Sequence, residues 1–157
     1  MSLLPVLKDP DTNLRTRSVE VDKGDISSGR IQGLIDNMIE TMAGENGIGI
    51  AAPQVGVKER VVIVEMGDGP TAYINPKIFS TSLRKVDSEE GCLSVPGVFG
   101  IVKRHKKVKV KALDRDGNKV QLSLSGMPAI IFQHEIDHLD GVLFIDKVER
   151  FTSPPKL

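Results

Sequence analysis

The chain has 157 residues, enough for one domain around a single core, and with no Trp and one Tyr that core must come from Ile, Val and Leu. Its 21 basic and 21 acidic side chains cancel, which leaves no global field to draw it to nucleic acid or an anionic membrane. No stretch approaches transmembrane length. The start, Met1-Ser2-Leu3-Leu4-Pro5, lacks the basic-then-apolar pattern of a signal peptide. A single cysteine excludes an internal disulfide. The expectation is one domain over 1–157, in a reducing cytoplasm, with no direct nucleic-acid partner and no membrane. An organelle stroma or matrix is the alternative, if a transit peptide was removed.

The apolar stripe Ile31, Leu34, Ile35, Met38, Ile39, Met42 predicts a helix that stops at Gly44 and Gly47. A glycine-rich loop follows, Gly47-Ile48-Gly49-Ile50-Ala51-Ala52-Pro53-Gln54. Val61 to Val64 reads as a buried strand. Ala72 to Ile74 reads as another, ended by Asn75-Pro76, and Ile78 to Val86 as a continuation of the sheet. From Lys103 to Lys111 basic residues mostly alternate with apolar ones, which favours the solvated face of a strand over a docking patch. Asp116-Gly117 is a hairpin turn signal between Val108, Val110, Ala112 and Val120, Leu122, Leu124, giving one buried and one wet face. A second helix starts near Pro128 and stops at Gly141. A short strand, Val142 to Ile145, and an irregular tail from about 150 to 157 complete the chain. Strands with one late helix between them make the fold α+β rather than alternating βαβ.

The second helix carries His134-Glu135-Ile136-Asp137-His138. Residues four apart share a helix face, so both imidazoles can reach one divalent ion. Glu135 then sits where it can take a proton from a water on that ion. The bland reading is a solvated helix face. The apolar flanks, Ile130, Ile131, Phe132 and Leu139, Val142, Leu143, Phe144, argue against it, because buried polar groups are costly without a partner. A third ligand is needed. The position where one group of zinc peptidases has a third His is Phe144, and Glu149 near the tail is a poor substitute. Upstream stands the only cysteine, Cys92. A lone Cys is usually a small buried hydrophobe, but Cys with two His is a sound three-ligand set with a fourth position open.

Three motifs thus stand in order: the Gly47 to Gln54 loop, Glu90-Gly91-Cys92-Leu93-Ser94, and Gln133-His134-Glu135-Ile136-Asp137-His138. The combination resembles the peptide deformylases, from Val6-Leu7 and Asp11-x-x-Leu14-Arg15 to Asp146. The resemblance implies antiparallel sheets around a central helix bearing the His pair, and removal of the formyl group from N-formylmethionyl peptides and nascent chains. It implies Cys92, His134 and His138 as ligands of Fe²⁺, with Zn²⁺, Ni²⁺ or Co²⁺ able to substitute. Glu135 becomes general base and then acid, and Gln54 and the backbone N–H of Leu93 stabilise the oxyanion. Gly47, Ile48, Gly49, Glu90 and Gly91 meet the substrate, with Gly49 pairing in strand fashion. Met127, Ile130 and Ile131 lie seven, four and three residues before His134, on its face; with Ile48 they line a methionine pocket, or else pack as ordinary core. Glu90 and Arg104 form a supporting ion pair, and Asp137 either joins it or is a surface charge.

Two departures stand out. Some family members place a substrate-contacting arginine where Phe99 falls. Many bacterial members carry a long C-terminal helix that docks on the ribosome, and the chain after Pro154-Pro155 leaves no length for it. Two other functions fit parts of the pattern: a metallopeptidase using the same helix motif, and an inactive deformylase-like binder of nascent N-termini.

Overall fold

The computed structural model describes residues 2–153. Helix α1, Gly29–Gly44, begins where the Ser28 hydroxyl accepts from the Ile31 N–H (3.3 Å), a side-chain cap on the first turn. Its stripe Ile31, Leu34, Ile35, Met38 and Met42 is buried. It packs on a five-stranded antiparallel sheet of β1 (Gly49–Ala51), β2 (Val61–Glu65), β3 (Pro70–Thr81), β6 (Lys107–Leu113) and β7 (Lys119–Ser125), in that spatial order. A second sheet has the order β4 (Lys85–Cys92), β5 (Val95–His105), β8 (Val148–Phe151).

Helix α2, Met127–Leu139, lies against the face of the five-stranded sheet opposite α1. This explains why Val61-Val62-Ile63-Val64 is apolar without alternation. Val61 and Ile63 join the α1 core, whereas Val62 and Val64 join the α2 core, so both faces of β2 are dry. Phe132 is fully buried on α2 and meets Tyr73 edge to face at 5.0 Å; truncating such a residue to Ala costs about 3–5 kcal/mol. Toward the second sheet, Gln133 clasps His105 from both sides: its Oε1 accepts from the His105 N–H (2.9 Å) and its Nε2 donates to the His105 carbonyl (2.9 Å). The C-terminus of α2 is fastened by the Ser18 N–H and Arg60 Nη1, which both donate to the Leu139 carbonyl (2.8 and 3.1 Å). Arg60 Nη2 also donates to Asp140 (3.0 Å), and the chain turns away at Gly141 with φ 77. The architecture is the expected α+β, with antiparallel sheets around the helix that bears the His pair. Among the described residues no helix is long and apolar enough to cross a membrane.

Several elements differ from the sequence reading. The Gly47 to Gln54 loop contains strand β1 and a 3-10 turn, Ala52–Val55. Asn75-Pro76 does not end its strand. Asn75 takes φ 52, the register shifts between Ile74 and Lys77, and β3 runs on to Thr81. The Asn75 side chain bonds both the N–H and the carbonyl of Val21, which holds the kink in place. Ile78 to Val86 is divided between β3 and β4, which belong to different sheets. Val142 to Ile145 is no strand. Leu143 and Phe144 fill the core, and Phe144–Asp146 forms a 3-10 turn in which the Asp146 carboxylate accepts from the Leu143 N–H (3.1 Å). The tail is not irregular from 150: β8 pairs with β5 at Gly100, Ile101 and Val102. The rest of the expected tail, residues 154–157, lies outside the described residues.

Candidate metal centre and active site

Two elements meet at the site. α2 presents His134 and His138 one turn apart, with ring centroids 5.0 Å from each other. The end of β4 presents Cys92, at a register shift in the β4–β5 pairing between Glu90 and Cys92. One ligand atom from each of Cys92, His134 and His138 falls within 4.8 Å of the others. Cys92 Sγ and His138 Nε2, 3.4 Å apart, stand at about the separation of two ligands sharing one tetrahedral ion with bonds of roughly 2.0–2.3 Å. That His138 nitrogen therefore faces the cluster. The Nδ1 of His134 is bonded to Glu90 Oε1 (2.9 Å), which leaves Nε2 for ligation and orients the ring. Phe144 is no ligand; its ring stacks on His134 at 6.1 Å. Glu149 is exposed on β8.

Behind the ligands lies a buried ion network. Arg104 gives Nε and Nη2 to the two oxygens of Glu90 (2.8 and 2.7 Å) and Nη1 to Asp137 (2.7 Å). Lys147 reaches the same Asp137 oxygen at 3.0 Å. Asp137 is therefore part of the support rather than a free surface charge. Burial works to raise the Glu90 pKa, but Arg104 and His134 outweigh it and hold the carboxyl down at about 2. Burial likewise works against charge on His134, yet hydrogen bonds with Cys92 and Glu90 outweigh it and hold the imidazole up at about 10. The same negative field that favours a proton there favours a metal cation. Burial pushes His138 well below its ordinary range, so its ring is neutral as a ligand must be. Glu135 is buried and is pushed up to about 7 chiefly by that burial, a poise suited to passing protons near neutrality. Its Oε1 is buried with no hydrogen-bond partner among the described residues. A donor set of one thiolate and two imidazoles, beside an unpaired carboxylate oxygen, fits a catalytic divalent metal.

A cleft of about 330 Å³ opens over this centre. Every residue expected to meet the substrate lines it: Gly47, Ile48, Gly49, Glu90, Gly91, Met127, Ile130 and Ile131. Ile131 is buried, whereas Ile48 and Met127 are exposed at the mouth. The Glu90 carboxylate is engaged by Arg104 and His134. β1, with Gly49, is an edge strand bonded on one side only, to β2. Gln54 is buried, and its orientation is set because Oε1 accepts from the Ala51 N–H (2.9 Å). Its Nε2 therefore points at Ser94 Oγ (3.1 Å) and Cys92 Sγ (3.7 Å). Leu93 lies in the turn after β4, and Lys8 Nζ donates to its carbonyl (2.8 Å). Phe99 lays its ring over Gly91: a Cβ there would meet ring carbons at 2.6 and 2.8 Å.

The sequence reading did not single out Ser88, Glu89 or Asn46 as cleft residues, nor Ser94 as the partner of Gln54. Strand alternation from Glu90 back to Ser88 was the available signal for one of them.

Comparison with known proteins bears on all of this. The polypeptide deformylase family model matches residues 3–153. The chain is 48% identical, over 96% of its length and 86% of the relative's, to a peptide deformylase of Acetivibrio thermocellus. Among solved structures, the peptide deformylase from Thermotoga maritima has a TM-score of 0.89 at 40% identity, covering 94% of this chain and 99% of that one. The Met-Ala-Ser-bound class I type b peptide deformylase from Acinetobacter baumannii has a TM-score of 0.88 at 39% identity, covering 93% and 98%. A match across nearly the whole chain, over a Cys-His-His cluster in the cleft, leaves one conclusion: the chain belongs to the polypeptide deformylase family.

Proposed function

We propose that Cys92, His134 and His138 hold one divalent ion and that Glu135 carries the protons of the reaction. The reaction is the family's own: hydrolysis of the formamide C–N bond of N-formylmethionine at the start of new polypeptides, with release of formate. The observation that carries the residue roles is the convergence of the three ligand atoms within 4.8 Å beside the buried Glu135. When bound by Cys92, His134 and His138, the ion would make a water more acidic and supply positive charge as a Lewis acid. Glu135 would take a proton from the attacking water and deliver it to the leaving amine. Gln54 Nε2 and the Leu93 N–H donate to the oxygen that becomes negative as water adds to the formyl carbon. Such donors are worth most when preoriented and dry, and the Ala51 N–H preorients Gln54. The free edge of β1 pairs with the substrate backbone at Gly49, and Ile130, Ile131, Met127 and Ile48 receive the methionine side chain.

The metal is Fe²⁺ by family resemblance, and Zn²⁺, Ni²⁺ or Co²⁺ substitute. The whole chain works as one catalytic domain in a reducing cytoplasm, where a thiolate ligand survives. The direct test is formate release from an N-formylmethionyl tripeptide by anaerobic Fe²⁺-loaded or Ni²⁺-loaded protein, beside Glu135→Ala. Metal-dependent turnover that vanishes in the variant supports these roles. A folded, metal-loaded protein whose Glu135→Ala form keeps its rate overturns them. The iron form should lose activity in air while the nickel form keeps it; equal decay would count against iron.

A further inference from the structure

The neutral net charge conceals a segregated surface. α2 covers one face of the five-stranded sheet through Val62, Val64, Val108, Val110 and Ala112. α1 covers the opposite face only as far as Ile63, Ala72 and Ile74, with Leu113 at its margin. Past that margin the second face is bare. Lys107, Lys109 and Lys111 stand on it, opposite Ser125, Ser123 and Gln121 of β7. Lys77 of β3 lies directly opposite Lys111, and Lys119 opposite Leu113. All five lysines are exposed. Among the described residues none of them has an ion-pair partner. β3, β6 and β7 contain no Asp or Glu at any position. At one end of the face Ser80, Thr81, Ser82, Ser123 and Ser125 join Lys107 and Lys109, over Val108 and Leu124, around a shallow depression of about 400 Å³.

Solvation alone does not explain this pattern. Mixed charges keep a sheet face wet at least as well, and like charges directly opposed, as at Lys77 and Lys111, are destabilising. A polyanion relieves that repulsion. Alternate residues on a strand stand about 7 Å apart, so the β6 lysines form a row suited to an extended backbone of charges rather than to one small ion. A protein partner would be expected to find apolar or aromatic anchors in the centre of the patch. The aromatic beside this row, Phe79, already carries the Lys111 ammonium over its ring at 4.6 Å. A row of ammonium groups flanked by hydroxyl donors is what phosphate-backbone recognition uses.

We propose that the lysine face of β3, β6 and β7 docks this enzyme on the phosphate backbone of structured RNA. The choice of RNA over DNA rests on the deformylase reading, since new polypeptides are made on RNA. α2, which carries His134 and Glu135, packs on the other face of the sheet, so docking through the lysine face leaves that helix uncovered.

The test is fluorescence anisotropy of a labelled RNA duplex titrated with the metal-loaded protein, with formate release followed on the same samples. With about four phosphates neutralised, affinity should fall about 10²-fold between roughly 50 and 200 mM salt. The Lys107→Glu/Lys109→Glu/Lys111→Glu variant should bind at least about tenfold more weakly and deformylate a short peptide at the parental kcat/KM. Arg17→Glu/Lys58→Glu/Arg150→Glu, with the same change in net charge away from that face, should bind like the parent. If the first variant does not fold, the corresponding Lys→Gln substitutions must show the same ordering. Absence of duplex binding at low salt overturns the proposal. So do equal losses in both charge-reversal variants, or binding to anionic vesicles or an acidic peptide as tight as binding to the duplex. Because turnover is read separately, failure of docking leaves the deformylase reading standing.

Discussion

Gly49→Ala separates catalysis from stability at this site. A Cβ at position 49 would lie 2.9 Å from Ile131 Cγ2, 3.0 Å from Glu135 Cδ and closer still to Glu135 Oε2. Ordinary carbon contacts are about 3.5–4.0 Å, so the carboxylate must retreat by roughly 1 Å. The Glu135 carboxylate ends a flexible side chain and yields cheaply, but Ile131 Cγ2 hangs on a β-branched χ1 that is stiff in a helix and must yield with it. Moving a χ angle about 30° off its well costs about 0.5–1.5 kcal/mol. That corresponds to a Tm drop of roughly 2–5 °C at this size. For the reaction it is expensive. A misplacement of about 1 Å can cost about 10²-fold, within the 10²–10⁴-fold that a positioned acid–base group supplies. The expected result is a kcat about 10²-fold lower in formate release, with Tm within about 5 °C and metal content unchanged, since the new methyl touches no ligand. If the methyl disturbs only substrate pairing along β1, KM rises and kcat holds. A metal-loaded Gly49→Ala protein with both constants within about threefold of the parent refutes the placement of Glu135 as the proton carrier.

Cys92→Ala should retain no stoichiometric metal after dialysis, read by atomic emission; parental occupancy would remove Cys92 from the ligand set. Arg104→Leu strands the buried Glu90 carboxylate and should cost about 3–5 kcal/mol, a Tm loss of roughly 10 °C in a thermal melt. A shift under about 2 °C would mean that the network contributes little. Gly91→Ala drives a methyl into the Phe99 ring and should destabilise by about 1–3 kcal/mol, and Phe99→Ala in the same chain should abolish that penalty. Additive losses in urea melts would show that the Phe99 ring is not what the new methyl meets.

What the sequence revealed depended on how local the determinants were. The His134 to His138 site was legible because one helix places both imidazoles, so spacing alone puts them on one face. β2 was legible because a run of four apolar β-branched residues between polar flanks has few other uses. The misread elements all depend on partners distant in the chain. Asn75-Pro76 looks like a strand end, and only the two bonds from Asn75 to Val21 turn it into a kink that β3 passes through. Val148-Glu149-Arg150-Phe151 has no two-residue period; it becomes strand β8 because β5 offers an edge at Gly100 to Val102. Val142 to Ile145 has a strand's composition but fills core space instead. Ser94 stood inside a quoted motif, yet its bond to Gln54 needs the turn after β1 to aim the amide across the cleft.

Charge shows the same divide between a sum and an arrangement. Equal counts of acids and bases set the far field of the molecule, and at that range the chain is neutral. Fields at contact range are set within about a Debye length, roughly 8–10 Å, by whichever side chains the fold brings side by side. Antiparallel pairing of β6 with β7 and β3 sets Lys107, Lys109, Lys111, Lys77 and Lys119 together on three strands without a single carboxylate. The balancing acids lie elsewhere, and some are engaged: Glu90 and Asp137 are tied to Arg104, and Asp140 to Arg60. The fold thus spends acidic groups in anchoring the metal helix and leaves the lysines of the sheet unopposed. A basic surface on a neutral protein is therefore a product of topology, and neither the net charge nor the run from Lys103 to Lys111 could have disclosed it alone.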